Sequence, residues 1–124
     1  MRIDTIIQVV CDVLEIEPKY IQWNTRQRDV CDARQVCHYF AKEFTKLSLY
    51  SIGVEIGEKD HATVIHSIKV VNNLQFANRE FRKNINLIRT KLTDIATKGV
   101  LINSQMLAKI DLEIMNTFAI NDIY

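Results

Sequence analysis

Apolar residues recur at intervals of three and four along most of the chain, which is the spacing of one face of an α-helix. At the N-terminus this pattern runs from Ile3 to Leu14 and predicts a first helix. Pro18 suits the first turn of a short second helix that includes Tyr20 and Ile21. The following stretch, residues 24–28, has no apolar residue, so we expect an exposed loop there.

The helical period returns in the middle of the chain and predicts three helices. The first runs from about Asp29 to about Lys46. Ser48 can cap the second, and Asp60 can cap the third, because their side-chain oxygens can accept hydrogen bonds from free amides of the first turn. The third helix has an apolar face made of Val64, Ile65, Ile68 and Val71. Two helices joined by the short turn 57–59 are a helix-turn-helix candidate.

Two further helices are predicted after a weak break at residues 76–78. The first is expected to end at Gly99 and to turn five apolar residues inward: Phe81, Ile85, Ile88, Leu92 and Ile95. The last begins at Asn103 or Ser104 and has an apolar stripe made of Leu107, Ile110, Ile114 and Phe118. We expect residues 1–92 to form one domain and residues 93–124 a helical extension packed on it. A homodimer formed through this stripe is the alternative.

Composition supports an all-α fold. The 124 residues include only 3 Gly and 1 Pro, too few for the many tight turns of a β-sandwich or barrel. The chain has no apolar run of the length that a membrane span needs, and its N-terminus is not a signal peptide. The 3 cysteines, an odd number without a secretion signal, fit a reduced cytoplasmic protein.

The second helix of the candidate motif has a polar face with the chemistry of DNA contact. Ala62, His66, Lys69 and Asn73 share this face. A methyl, an imidazole, an ammonium and an amide can contact bases or phosphates, and Thr63 can do so from the first turn. The alternative is an ordinary solvated helix face. The net charge of +1 is lower than is usual for a small DNA-binding domain.

Basic residues before the motif support the DNA interpretation. Arg26 and Arg28 in the polar loop resemble a flexible arm that enters a minor groove, and the alternative is a solvated loop. Arg34, Gln35 and Lys42 are expected on the exposed side of their helix. These three side chains can either contact phosphates or simply keep the surface soluble, and the sequence does not decide between the two roles.

An enzyme or a metal site is not predicted. His61 and His66 are five residues apart and therefore lie on different faces of their helix, and no other group has ligand spacing. His38 is expected to be a surface residue or a satisfied residue within its helix. Cys31 and Cys37 have apolar neighbours and are expected to be core thiols. No cofactor is implied.

The segment Asp60-His61-Ala62-Thr63-Val64-Ile65-His66 closely resembles the DHTTVxH signature of the C-terminal DNA-binding domain of DnaA, the bacterial replication initiator. The flanking segments 33–35, 41–45 and 48–53 follow the family's helix pattern in the same order and spacing. The resemblance covers about residues 1–92. It implies a Trp-repressor-like helix-turn-helix bundle that recognises a short asymmetric duplex, the DnaA box.

The resemblance also implies roles for single residues. Arg26 matches the arginine that reads the minor groove, and Asp60 matches the acid that opens the recognition helix. His61, Thr63 and His66 match positions near bases and backbone. Positions that contact phosphate in the family are matched by Arg34, Gln35 and Lys42.

The sequence departs from the family at three places. Ala62 stands where the family usually has a threonine that reads a base, so a hydroxyl contact is lost and a methyl contact remains. Asp32 stands where the family often has a basic residue. Glu58-Lys59 replaces a usual Gly-Arg and brings an acid close to the DNA side. Together these changes explain the low net charge. The change at Ala62 predicts an altered preferred sequence, and the acid at Asp32 predicts weaker affinity for phosphate.

We therefore expect a non-enzymatic protein that binds double-stranded DNA at a DnaA-box-like site, in replication initiation or its regulation. The chain has no GxxxxGK[ST] loop, and Met1 begins at the DNA-binding domain, so we expect no ATPase module. The alternative is a transcription regulator or a protein-interaction module that keeps the fold but has lost or changed box recognition. Such a module would bind DnaA or another replication protein.

Overall fold

The computed structural model describes residues 1–102, and helices are the only regular secondary structure in that range. The elements are α1 (Ile3–Leu14), a 3-10 helix (Pro18–Gln22), α2 (Arg28–Phe44), α3 (Leu49–Glu55), α4 (His61–Ala77) and α5 (Arg79–Ile102). The prediction of an all-α fold is confirmed for these residues. Residues Met1–Leu92 form one compact unit.

Helix α2 is the centre of this unit, because it contacts α1, the 3-10 helix, α3 and α4. Its residues Val36 and Phe40 are fully buried, as are Ile6 and Val10 of α1. Each side chain of this size contributes about 1.5–3 kcal/mol when it is removed from water. The same core includes three residues of α5: Ile85, Ile88 and Leu92. A hydrophobic core thus surrounds α2 on several sides.

An ion pair on the surface joins α5 to α2. The Arg89 guanidinium donates to both carboxylate oxygens of Glu43 at 3.1 Å and to the Tyr39 hydroxyl at 2.9 Å. Both ends of this pair are about one-third exposed. A pair with this exposure contributes less than about 1 kcal/mol, so α5 is held mainly by its apolar face.

The two predicted helix caps and the predicted break at residues 76–78 are confirmed. The Ser48 hydroxyl accepts from the Ser51 amide at 3.1 Å, and the Asp60 carboxylate accepts from the Thr63 amide at 2.8 Å. The break at residues 76–78 is present, because α4 ends at Ala77 and α5 begins at Arg79. These features are local in the sequence, which is why the sequence predicts them well.

Two apolar assignments and one helix end are wrong. Ile65 is 37% exposed and Ile95 is 39% exposed, although both were expected to face inward. Ser67 of α4 is buried instead of Ile65, and its hydroxyl lies 2.9 Å from Nδ1 of the buried His38. Helix α5 continues through Gly99 to Ile102. A glycine inside a helix costs only about 1 kcal/mol and does not by itself end it. The predicted last helix, with its stripe from Leu107 to Phe118, lies outside the described residues.

The turn between α3 and α4 is built on two glycines and a left-handed backbone. Gly57 has a φ of 81° and Glu58 a φ of 51°, which reverses the chain within two residues. The Lys59 amide then donates to the Gly53 carbonyl at 2.8 Å. A Cβ atom on Gly53 would overlap the Lys59 carbonyl oxygen, so only glycine permits this close return. The turn fixes where α4 begins.

Candidate nucleic-acid interface

Helix α4 presents one exposed polar face along about three turns, from Ala62 to Asn73. Ala62, His66, Lys69 and Asn73 are all exposed, whereas Val64 and Val71 on the other side are buried. His61 is also exposed, and Thr63 is half-buried. The polar face predicted from the helical spacing is therefore free to contact a ligand along about three turns.

Asp60 organises the first turn of α4. One of its carboxylate oxygens accepts from both the amide and the hydroxyl of Thr63, each at 2.8 Å. These two hydrogen bonds hold the pKa of the Asp60 carboxyl below its usual value, so the group stays ionised. Asp60 thus acts on α4 as a cap, and the Thr63 hydroxyl hydrogen is used within the protein.

The polar loop lies beside α4. Trp23 caps the 3-10 helix, and residues 24–27 lead from it to α2. Arg28 was predicted in the loop, but it is the first residue of α2; both it and Arg26 are exposed. A cleft of about 300 Å³ lies between the loop, α2 and α4. Its lining includes Arg26 from the loop, Gln35 from α2, and Thr63 and His66 from α4. The structure therefore brings together predicted residues that are up to 40 positions apart in the chain.

The cleft has a positive lining. Arg26, Arg34 and Lys59 line it, and none of its lining residues is an aspartate or a glutamate. Lys42 is exposed on α2 two turns beyond Gln35, and Lys69 is exposed on α4. Low-dielectric walls beside a set of like charges strengthen the field that an anion experiences. The arrangement can attract a polyanion.

Arg34 does not lie where the sequence predicts it. It was expected on the exposed side of α2, but it is only 5% exposed. Its Nε donates to the Ile21 carbonyl at 2.9 Å, and its Nη2 donates to the Trp23 carbonyl at 2.6 Å. Because α2 is surrounded by neighbours, its buried stripe is wider than one amphipathic face. Two nitrogens of the guanidinium therefore donate to protein carbonyls.

His38 is a buried residue that sequence reasoning did not place. It is fully buried, so the surface alternative is wrong, while the satisfied alternative is confirmed. Its Nδ1 lies 2.9 Å from the Ser67 hydroxyl, and its Nε2 lies 3.0 Å from the Ile56 carbonyl. Burial lowers the pKa of His38, since it disfavours the charged imidazolium. A neutral imidazole thus connects α2 to α4 and to the end of α3.

The three cysteines differ in exposure. Cys11 and Cys37 are buried, and burial raises the pKa of both thiols, to about 11 for Cys11. Cys31 is half-buried and lines the cleft, so its assignment as a core thiol is wrong. Within residues 1–102, no group of three or more His, Cys, Asp or Glu side chains is placed to hold a metal ion. No helix of that part of the chain is long and apolar enough to cross a membrane.

Comparison with known proteins identifies similar sequences. A family described as the bacterial dnaA protein helix-turn-helix matches residues 3–71, more than half of the 124 residues. The chromosomal replication initiator protein DnaA of Flavobacterium psychrophilum is 44% identical over 93 residues, which are 75% of this chain and 20% of that protein. The protein of the same name from Bacteroides fragilis is 43% identical over 92 residues, 74% of this chain and 19% of that protein. The chain spans about one fifth of the length of these curated relatives.

Proposed function

The chain belongs to the bacterial DnaA helix-turn-helix family, and from this premise we propose that it binds double-stranded DNA sequence-specifically at a DnaA-box-like site. The observation that carries the proposal is the shared cleft. Arg26 and the exposed first turns of α4 lie on one positive surface, although the chain separates them by more than 30 residues. We further propose that the protein acts in replication initiation or its regulation, in the cytoplasm.

In the proposed complex α4 enters the major groove. Helix-turn-helix proteins place the N-terminal residues of the second helix at base edges, and here those residues are His61, Ala62 and Thr63. The exposed Ala62 methyl suits contact with a thymine methyl. His66 follows one turn later on the same face. These residues supply the direct reading of sequence.

Arg26 enters the adjacent minor groove in the same complex. An arginine on a short exposed loop matches the negative potential of a narrow minor groove. The loop is held at both ends, by the 3-10 helix before it and by α2 after it. A loop of four residues with fixed ends loses little entropy when it binds. Arg26 therefore adds a second, independent reading of the site.

Phosphate contacts are assigned to exposed groups around this surface. Lys42, Lys69 and Arg28 are exposed cations, and Gln35 is a half-buried amide that lines the cleft. Phosphate contacts fix the register of the protein on the duplex without reading sequence. The nearby acids Asp32 and Glu58 oppose the approach of phosphate. We therefore expect affinity that is moderate and strongly dependent on salt.

We propose that these 124 residues contribute site recognition and not nucleotide hydrolysis. The proposal is supported by the absence of a GxxxxGK[ST] loop from the sequence. Binding by this domain then occupies a DNA site without opening it. The proposal predicts that ATP does not change the affinity of the protein for DNA.

Fluorescence anisotropy tests the proposed function. The purified protein is titrated against a labelled duplex that contains a DnaA box and against a scrambled duplex, each at two salt concentrations. We expect tighter binding to the box and weaker binding to both duplexes at the higher salt. Arg26→Ala and His66→Ala should each weaken binding to the box. Equal affinity of the wild type for both duplexes would overturn recognition of the DnaA box, and selection from random sequences would then show whether the preferred site has shifted.

A second candidate function is a protein-interaction module, with DnaA or another replication protein as the partner. Phe76 favours it, because this large apolar side chain at the end of α4 is 88% exposed. Failure of the protein to bind either duplex at low salt would support this candidate over DNA binding. Clear preference for the box, unchanged by Phe76→Ser, would count against it.

A further inference from the structure

Arg34 makes contacts that neither phosphate binding nor core packing requires. It is 5% exposed, and its Nε and Nη2 donate to two backbone carbonyls, those of Ile21 and Trp23. These carbonyls belong to the end of the 3-10 helix. The loop that carries Arg26 begins at the next residue, Asn24. Arg34 therefore holds the point from which the loop departs.

The same side chain packs against the turn that leads into α4. A Cβ atom placed on Gly57 would lie 2.7 Å from Cδ and from Nε of Arg34, so the Arg34 side chain fits against the bare glycine. Gly57 is three residues before Asp60, the cap of α4. Arg34 thus contacts both segments that are proposed to meet DNA, the loop and the start of α4.

A second side chain joins the same two segments. The Gln22 Nε2 donates to the Glu55 carbonyl at 2.8 Å, and the Gln22 Oε1 accepts from the Gly57 amide at 2.8 Å. Gln22 lies in the 3-10 helix, and Glu55 and Gly57 flank the end of α3. Together, Arg34 and Gln22 make four hydrogen bonds that fix the end of the 3-10 helix; we call these two residues the clamp.

Burying the Arg34 guanidinium costs free energy, and its hydrogen bonds to two carbonyls offset that cost. None of the four ion pairs among the described residues includes Arg34, so backbone carbonyl dipoles balance its charge. Burying a cation is expensive unless it is well hydrogen-bonded. A planar guanidinium can donate to two carbonyls at fixed angles, whereas a lysine ammonium cannot reproduce this fork. This geometry suits a side chain that holds the backbone at the end of the 3-10 helix in place.

We propose that the clamp is a positioning device for DNA recognition, in which Arg34 and Gln22 hold the Arg26 loop at a fixed place relative to α4. The proposal rests on the proposed function and deepens it. Only two residues separate Trp23 from Arg26, so the position of the Trp23 carbonyl limits where the Arg26 side chain can reach. Reading the major and minor grooves of one site at once requires that the two reading elements keep a fixed spacing. The clamp supplies that spacing, and Arg34 need not contact phosphate.

A double-mutant cycle tests the clamp. Arg34→Lys keeps the positive charge but loses the fork, and Arg26→Ala removes the residue that the clamp positions. Anisotropy gives the affinities of wild type, both single variants and the double variant for the box duplex and the scrambled duplex. We expect Arg34→Lys to reduce the preference for the box by about tenfold, the size of one lost base contact. We expect the double variant to match Arg26→Ala within about twofold.

Gln22→Ala provides a second perturbation of the clamp, because Gln22 is exposed and its removal leaves no buried charge. It should also reduce box preference and should also lose its effect when Arg26 is already alanine. Lys42→Ala on α2 is the matched control. Loss of a phosphate contact should weaken binding to both duplexes, and its effect should add to that of Arg26→Ala. Circular dichroism melting of each variant verifies that it is folded at the assay temperature.

The outcomes separate the two proposals. If the effects of Arg34→Lys and Gln22→Ala add to that of Arg26→Ala, the clamp does not act through the loop and the inference is overturned. If both duplexes lose affinity equally in Arg34→Lys, Arg34 is a phosphate contact. If the wild type shows no box preference, the proposed function itself fails, and the inference fails with it. Coupling of both clamp variants to Arg26 supports the positioning role.

Discussion

The close packing of the turn before α4 against Gly53 predicts that Gly53→Ala strongly destabilises the protein. Gly53→Ala adds a single Cβ atom where the chain returns against α3. That atom would overlap the Lys59 carbonyl oxygen and lie 3.1 Å from the Lys59 carbonyl carbon and 3.3 Å from the Asp60 carbonyl oxygen. All three neighbours are backbone atoms, so no side-chain rotation relieves the overlap. The turn must move or α3 must end earlier.

The expected loss follows from three contributions. Overpacking costs about 1–3 kcal/mol, and the upper end applies because the obstacle is backbone. Displacing the turn also breaks the hydrogen bond from the Lys59 amide to the Gly53 carbonyl, 2.8 Å long, which costs about 1 kcal/mol. Alanine regains about 1 kcal/mol through its helix propensity. The net destabilisation is about 3 kcal/mol, which lowers the Tm of a domain of this size by at least about 10 °C.

Urea unfolding followed by circular dichroism measures this loss. Val54→Ala is the matched control, because Val54 is the next residue of the same helix and is 49% exposed. The control should change the free energy of unfolding by less than about 0.5 kcal/mol. A Gly53→Ala variant as stable as the wild type would refute the close return of Lys59 onto α3.

Three further predictions concern His38, Asp60 and Lys42. Burial lowers the pKa of His38 in the folded protein, so below its ordinary value of about 6.5 the unfolded chain binds more protons and stability falls as pH falls. Urea unfolding between pH 7.5 and pH 5 should show this decline, His38→Gln should flatten it, and an unchanged slope in the variant would contradict the assignment. Asp60→Ala should lower the Tm because it removes the cap of α4, whereas Asp60→Asn should largely keep the cap; equal melting of both variants with the wild type would show that the cap contributes nothing. Lys42→Ala should weaken binding to box and scrambled duplexes alike and reduce the slope of log affinity against log salt by about 0.9; selective loss on the box would instead make Lys42 a base contact.

The parts of the fold that sequence predicts well are those whose causes are local. The face of α1 follows from spacing alone, since Ile6 and Val10 are one turn apart and both are fully buried. Ser48 and Asp60 cap their helices through atoms three residues away. The exposed face of α4 likewise follows from the helical period once the buried side is known.

The clamp and the buried histidine could not be predicted in this way. The partners of Arg34 are backbone carbonyls 11 and 13 residues earlier. Every residue has a backbone carbonyl, so the sequence does not show which carbonyls accept from Arg34. His38 bonds to Ser67, 29 residues later, and to the Ile56 carbonyl. The prediction for Arg34 is wrong, and that for His38 left a surface position open, because contacts from several elements widen the buried stripe of α2. A polar residue at a position enclosed on several sides indicates a specific tertiary hydrogen bond.

Chemical-shift mapping by NMR tests the central claim most directly, namely that the Arg26 loop and the N-terminal turns of α4 form one DNA-binding surface. The protein, labelled with ¹⁵N, is titrated with an unlabelled duplex that contains a DnaA box. The account predicts the largest amide shifts in residues 24–28 and in residues 60–69, appearing together at the same DNA concentration. Shifts confined to one of these segments, or centred on Phe76 and α5, would contradict it.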